Sequence, residues 1–559
     1  FTQIHFFENI IKKKILHTLN TKLIAANKHR VLINKYKTLC TDEERIIFSL
    51  NVMLEYNVIP QVCGDIKDAK ESEKLREQGN KLFVSKPLKD CACVDILKLY
   101  TKSIAYAPYS SEQLALAYAN RSAVLLKIHK YELCIQDIDR ALALAYPDNL
   151  RAKLYIRKIE CLNALEHPHM EDDINRKKLI NIKYNEEYGR HIVATRKIRP
   201  GEVIAVEKPY SLMLTPDNIH THCSNCLEVS WANIPCEHCT YAMYCSEECK
   251  IMEWNKYHDI ECAVFPSMLK MNFVKLDLFS LRLAIQAVRE ATNIQELRKE
   301  LKEIDSCFSK DGTFPTDKYR SLLSLVTNTE KRSVQDLFRR SLDASFILYF
   351  VATCTNMFGS PLSKDLSVLI KNADVTFFGG LILRHQQLIP SNIHSECGLE
   401  AVERGVAAMP FISLINHSCN PNILRHSRSK YMIIYLFDNY SQYYAITPKA
   451  VRQQELLEQY YFKCNCLPCQ ENWPLFYNLK SFKVSYLLIK YILKYYFVLL
   501  FTSAIYFLQN LVKKEEDKNR ITHVIYLASN QLNIGNKIVN PIDWYILLVP
   551  LQMVQISDK

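Results

Sequence analysis

Seven cysteines and one histidine fall within forty residues of this chain: Cys223, Cys226, Cys236, Cys239, Cys245, Cys249, His258 and Cys262. Their spacing is C-x2-C-x9-C-x2-C-x5-C-x3-C-x8-H-x3-C. A Cys-x2-Cys turn puts two thiolates on one metal, and a structural zinc ion closes on four ligands in a tetrahedron. Eight ligands therefore make two sites. The first and third pairs (Cys223, Cys226, Cys245, Cys249) are expected to share one ion, and the second and fourth (Cys236, Cys239, His258, Cys262) the other. Closing both sites would supply much of the folding energy of so short a segment.

A second chemical string is SLINHSCNPNI, Ser413 to Ile423. Asn, His, Ser and Pro are loop formers, and a loop dense in hydrogen-bonding side chains suits ligand recognition. Downstream, YYFKCNCLPC supplies Cys464, Cys466 and Cys469. Three cysteines so close need a fourth ligand for zinc, and Cys419 in the polar loop is the natural donor. That metal would tie the loop to the segment behind it.

The elements around these strings differ in texture. GRHIVATRKIRPGEVIAVEKPYSLML, residues 189–214, has β-branched runs and turns at Gly189 and Pro200-Gly201, which predicts two or three short strands. Residues 263–380 have helical period. Upstream, EKLREQGNKLF, LKLYTKSIAYAP and LALAYANRSAVLLKIHKYELCIQDIDRALALAYP place small residues (Gly79, Ala105, Ala117, Ala141) where helices cross. Aromatics (Phe83, Tyr100, Tyr118, Tyr131) fill the gaps, and the runs close on Pro108 and Pro147. This resembles tetratricopeptide (TPR) repeats of ~34 residues, with RAKLYIRKIECLNAL as a partial third unit. Residues 1–65 are helical in period and carry no motif.

Composition excludes several classes. Glycine numbers 11 in 559 residues, and neither GxGxxG nor GxxxxGK[ST] occurs, so a nucleotide-like cofactor must be bound without a glycine-rich phosphate loop. The formal charge of +12 is mild over this length and gives no argument for direct nucleic-acid binding. The 20 cysteines, with no signal peptide visible in a sequence that opens on Phe1, read as reduced thiols and metal ligands, which predicts cytoplasm, nucleus or both. Tyr495–Leu508 is uncharged for 14 residues, short of the ~20 a membrane span needs, so a buried helix is expected and no membrane partner.

The cysteine segment, above all MYCSEECKIMEWNKYHDIEC, resembles the MYND zinc finger. NHSCNPN with a following YxFxCxCxxC resembles the SET domain and its post-SET zinc site. GRHIVATRKIRPGEVI resembles the opening SET motif. A SET domain split by a MYND finger is the mark of the SET and MYND domain-containing (SMYD) lysine methyltransferases, and the TPR-like region points to the TPR-bearing branch. The resemblance covers roughly residues 70–475.

It implies an α+β multidomain fold. Residues 1–65 would be a helical extension, 66–166 TPR-like repeats, 175–222 the first part of SET, and 223–262 the finger. A helical insert (263–380), the SET core (381–463), the post-SET motif (464–469) and a helical C-terminal region (470–559) would follow. The implied cofactors are S-adenosylmethionine and zinc, two ions in the finger and one post-SET. Gly189, Arg190 and His191 would meet the methionine end of the cofactor. Asn392, in QQLIPSNIH, resembles the family's cofactor-binding asparagine. Asn416 and His417 would bond the adenosine part, Phe462 would stack on the adenine, and Tyr440 matches the catalytic tyrosine. Implied partners are lysine-bearing protein substrates, histone or non-histone, proline-rich peptides at the finger, and a chaperone or another protein at the TPR-like region. The chain departs from the family at Tyr440-Ser441, where a Tyr-Gly is usual, and in a segment before Tyr440 shorter by roughly ten residues. The second expectation is therefore a catalytically weak or inactive adaptor.

Overall fold

The computed structural model describes residues 10–64, 66–84, 90–163, 180–186, 189–199, 202–303, 314–397, 403–428, 431–436 and 446–475. Tyr440, the residues on either side of it and the stretch Tyr495–Leu508 lie outside the described residues, as does nearly all of the expected C-terminal helical region. Among the described residues no helix is long and apolar enough to cross a membrane.

Three helices come first: α1 (Ile10–Ala25), α2 (His29–Lys37) and α3 (Asp42–Glu55). The Thr41 hydroxyl accepts from the Glu44 N–H while the Glu44 carboxylate accepts from the Thr41 N–H, a reciprocal cap that fixes where α3 starts. Five helices follow as an array: α4 (Ala69–Val84), α5 (Asp90–Tyr106), α6 (Glu112–Lys127), α7 (Tyr131–Ala143) and α8 (Arg151–Asn163). Each packs on its sequence neighbour, α4 on α5 and α6 on α7 most extensively. The small residues lie at the crossings as expected: a Cβ on Gly79 would stand 2.5 Å from the Tyr100 ring, and Ala105, Ala117 and Ala141 are fully buried.

The strands are short and antiparallel. β1 (Ile180–Asn185) pairs with β2 (Gly189–Ala194). β3 (Val203–Glu207) and β4 (Ser211–Leu214) belong to two different three-stranded sheets. The finger follows β4. It holds a two-residue hairpin, β5 (Ile234–Pro235) with β6 (Met243–Tyr244), then α9 (Glu247–Glu253), a wide π-type turn at Trp254–His258, and α10 (Asp259–Lys270). The body continues with α11 (Lys275–Glu290), α12 (Ile294–Glu303), α13 (Tyr319–Leu323), α14 (Val334–Cys354), α15 (Leu366–Lys371) and α16 (Ala373–Asn392). Then come β7 (Ile393–Cys397), β8 (Glu403–Ala408), β9 (Ile423–Arg428), β10 (Tyr431–Leu436) and α17 (Lys449–Tyr460). The sheet orders are β3-β10-β9 and β4-β8-β7. Strands on both sides of residues 215–392 thus share sheets, so the finger and the helices after it are an insertion between paired strands.

Two features add to the sequence expectation. The helical extension expected over residues 1–65 is, in its described part, built into the main core: Ile46, Leu50 and Met53 of α3 are fully buried there with α14 and α16. Gly379 and Gly380 admit α3, since a Cβ at Gly379 would stand 2.9 Å from Ile46 and one at Gly380 3.3 Å from the Glu43 backbone. In addition, α16 runs unbroken through the 380/381 division expected between insert and strand-rich core, carried by a continuous buried face from Val375 to Ile389. The run 189–214 forms three strands, β2, β3 and β4, within the two or three expected, and β1 precedes it.

Candidate functional site

The ligand strings converge as three quartets: Cys223, Cys226, Cys245 and Cys249; Cys236, Cys239, His258 and Cys262; and Cys419, Cys464, Cys466 and Cys469. In each, the ligand atoms lie within 4.8 Å of one another. Four ligands at ~2.3 Å from one ion stand ~3.8 Å apart along a tetrahedron's edges. The observed spacings fit: 3.8 Å for Cys226–Cys245, 3.9 Å for Cys236–Cys262, 3.5 Å for Cys239 Sγ to His258 Nε2, and 3.9 Å for Cys419–Cys464. Sulfurs at such distances are not disulfides, whose bond is ~2.05 Å. The expected pairing of first with third and second with fourth is the one the fold makes. Local structure explains it. The Cys223 and Cys226 turn lies against β6, where the Ser224 N–H donates to Met243 O (2.8 Å). Ser246 caps α9 through the Cys249 N–H (3.3 Å), and the π-type turn carries His258 to the second quartet.

The third quartet anchors the polar loop. Cys419 is fully buried, while Asn416 and His417 are exposed beside it. The His417 ring stands 5.9 Å from that of Phe462 at 57°. Phe462 follows Tyr461, which leaves α17 in the left-handed region (φ 62°). β2, which begins at Gly189, packs on the Ile412–Leu414 turn at the base of the loop. Gly189 takes φ +63°, a backbone reason for glycine here whatever ligand is bound. His191 Nδ1 is 2.9 Å from Gly189 O. Asn392, the last residue of α16, is buried and donates to Val326 O and Leu388 O (both 2.8 Å). Arg190 donates to Ser324 Oγ (3.0 Å) and to the Ser324 carbonyl. The expected cofactor residues therefore share one neighbourhood, but Arg190 and Asn392 both hold the Ser324–Val326 segment. Tyr440 lies outside the described residues.

Sequence reading missed several supporting residues. Ser324 and Val326 act through backbone atoms, which leave no signature. His394 lies behind the loop: Arg425 Nη1 donates to its Nδ1 (2.7 Å), and its Nε2 is 3.2 Å from Ser413 Oγ, which donates to Asn392 O (2.8 Å). Burial, then the Arg425 charge, push this imidazole down to about 3. It is thus neutral, accepting at Nδ1 and donating at Nε2. The last is Glu207, at the end of β3. Its two carboxylate oxygens accept from the Phe411 and Ile412 N–H groups, each 2.9 Å. It holds the turn from which the polar loop departs.

Burial pushes the Glu207 carboxyl up from 4.5 to about 7, against the pull of those two N–H groups. A carboxyl raised on folding keeps its proton in the folded chain across that window. Its contribution is present at low pH and lost as the pH rises through about 7. Glu207→Gln replaces one acceptor by a donor, so ~1–3 kcal/mol is expected to be lost. The fall in stability between pH 5 and 7 should also flatten. Urea titrations across this range measure both, and an unchanged pH slope would remove Glu207 as the titrating group.

The MYND finger family model matches residues 223–262. The chain is 24% identical to the zebrafish (Danio rerio) protein-lysine N-methyltransferase SMYD4, over 78% of this chain and 71% of that protein. It is 25% identical to the mouse (Mus musculus) SMYD4, over 70% of this chain and 66% of that one. It is 26% identical to the Arabidopsis thaliana histone-lysine N-methyltransferase ASHR1, over 50% of this chain and 53% of the relative. The chain thus spans about two thirds of the length of its SMYD4 relatives. With the finger matched and its quartets assembled, the similarity to these SET and MYND domain-containing proteins runs far beyond the finger on both sides.

Proposed function

We propose that this chain is a protein-lysine N-methyltransferase of SET type. The observation that supports it best is the gathering of Gly189–His191, Asn392, Asn416, His417 and Phe462 around one polar loop fastened by the third cysteine quartet. S-adenosylmethionine, when bound, would supply the methyl group as a sulfonium. The donors fit such a group: Asn416 and His417 are open to solvent, and the partly exposed Phe462 ring beside His417 offers a surface for a purine. Gly189–His191 and Asn392 would hold its other end. Methyl transfer to an amine is an in-line displacement, in which alignment contributes most. On this reading the Tyr440 hydroxyl positions the lysine amine, and a dry channel keeps that amine neutral.

The remaining parts follow on the same reading. Residues 180–214 and 393–436 make the split SET core, and zinc fills all three quartets in a structural role, the third shaping the lysine channel. The finger takes proline-rich peptides. The array α4–α8 is a TPR-type docking module for a chaperone or another protein. The compartment is cytoplasm, nucleus or both.

The test is transfer of a labelled methyl group from S-adenosylmethionine to lysate proteins by the purified chain, with Tyr440→Phe as control. Tyr440→Phe is expected to slow transfer at least ~10-fold, about 1.4 kcal/mol of barrier, while calorimetry shows cofactor binding unchanged. Cofactor binding with no transfer above the Tyr440→Phe level would overturn the enzyme reading and leave an adaptor.

A further inference from the structure

Arg452 stands in the first turn of α17 and is only 1% exposed. Its Nη1 donates to Thr447 O at 2.6 Å, which fixes the guanidinium under the start of its own helix. Its Nη2 faces Cys469 Sγ at 3.6 Å, and that sulfur is 3.6 Å from Cys419 Sγ. A guanidinium out of water is costly unless negative charge answers it. A neutral thiol is a weak acceptor, whereas a thiolate carries a full charge. Four thiolates on one dication leave two negative charges uncompensated. The second quartet differs in that the neutral His258 ring replaces one thiolate. The next residue on the helix joins in. Gln453 accepts from the Cys464 N–H (3.0 Å) and donates to Cys464 O (2.6 Å).

We propose that Arg452 is the charge partner of the Cys419–Cys464–Cys466–Cys469 site, setting how tightly that site holds its ion and locking α17 to it. Phe462, two residues beyond α17, is thereby held beside His417. This rests on the reading that the third quartet binds zinc.

The experiment follows zinc release from the intact chain into excess chelator with a metallochromic dye, for wild type, Arg452→Gln and Arg452→Lys. Wild type is expected to release three ions per chain, one per quartet. Loss of an outer-sphere partner typically weakens a metal site ~10–100-fold, so Arg452→Gln should release one ion of the three at least ~10-fold faster and leave the other two unchanged. Arg452→Lys, which keeps the charge without the fork, should fall between. Release of all three ions at the wild-type rates in Arg452→Gln would overturn the proposal. So would loss of all three ions together in both variants, because that marks a general packing role. A wild-type content of two ions would instead overturn the third site itself, and the role of Arg452 with it.

Discussion

Stripping zinc from the intact chain is expected to unfold residues 223–262 and loosen the α4–α8 array in the same step. The finger has little else to hold it. Its own buried cluster consists chiefly of the ligands Cys223, Cys226, Cys236, Cys239 and Cys249, joined by Ile234, Ala242 and Tyr244. Its strands are two residues long and α9 has seven. Structural zinc is worth ~10–16 kcal/mol per site in zinc-finger peptides, comparable with the whole stability of an ordinary domain. The consequence travels because the array is built on the finger. Ala232 and Met243 are fully buried in the array's core. Three carbonyls of one finger loop accept from cations of the array and its leading segment: Ala232 O from Arg140 (2.9 Å), Asn233 O from Arg121 (3.0 Å) and Cys236 O from Lys67 (2.8 Å). Hydrogen exchange before and after chelation should show protection lost across Cys236–Cys262 and reduced in α6 and α7. Cys239→Ser should reproduce the effect through the second quartet alone. A metal-free chain that keeps the amide protection of residues 223–262 would refute this account.

The other face of the finger explains why the α3–α14–α16 core should survive that treatment. Arg282 of α11 is buried against Glu261 of α10, with bonds of 2.7 and 2.6 Å, against Glu253 at 3.2 Å, and over the Tyr257 ring at 3.9 Å. It also donates to Leu212 O (2.7 Å). Glu253 and Tyr257 belong to the finger, but α10 continues beyond the last ligand Cys262 and is held to the body by its own buried face, with Val264 and Met268. That packing does not depend on thiolates.

What could be read from the sequence was whatever local spacing encodes. Metal quartets are such a case, because tetrahedral closure leaves few ways to pair Cys223 through Cys262. The array's crossings are another, since Gly79 and the buried alanines mark close approach by their size. Tertiary partnerships were harder. Arg121 and Asp137 look like solvated residues in AYANRS and QDIDRA, and only packing reveals that both are fully buried. Residues 1–65 carry no motif, and what α3 contributes is an apolar face fitted to α14 and α16. A sign was present even so: in a chain this poor in glycine, an adjacent Gly379-Gly380 inside a helix announces a close neighbour. The Ser324–Val326 wall offers backbone atoms, on which sequence is silent. Glu207 was hidden by position, one acid ending an apolar strand.

The buried pair of Arg121 and Asp137 should be the array's most sensitive polar contact. Arg121 Nε and Nη2 reach the two Asp137 oxygens at 2.7 and 2.9 Å, and Nη1 reaches Thr101 Oγ1 at 3.1 Å. Both side chains are 0% exposed. Removing one member of such a pair leaves a charge buried without its partner, and ~3–5 kcal/mol is the usual cost. Arg121→Met should fall toward the lower end, because Arg140 still reaches Asp137 at 3.0 Å. Asp137→Leu should fall toward the upper end, since it strands the Arg121 guanidinium in an apolar core. The double variant is expected to cost less than the two single changes added together, because neither charge is then left alone. Unfolding of the array, followed by exchange protection in α6 and α7, measures all three. The Asn233 contact gives a second readout: losing Arg121 frees the finger loop, so zinc at the second quartet should leave faster in Arg121→Met even where the array stays folded. Additive costs in the double variant, with zinc release unchanged in Arg121→Met, would mean that the pair is replaceable packing and that array and finger fold independently.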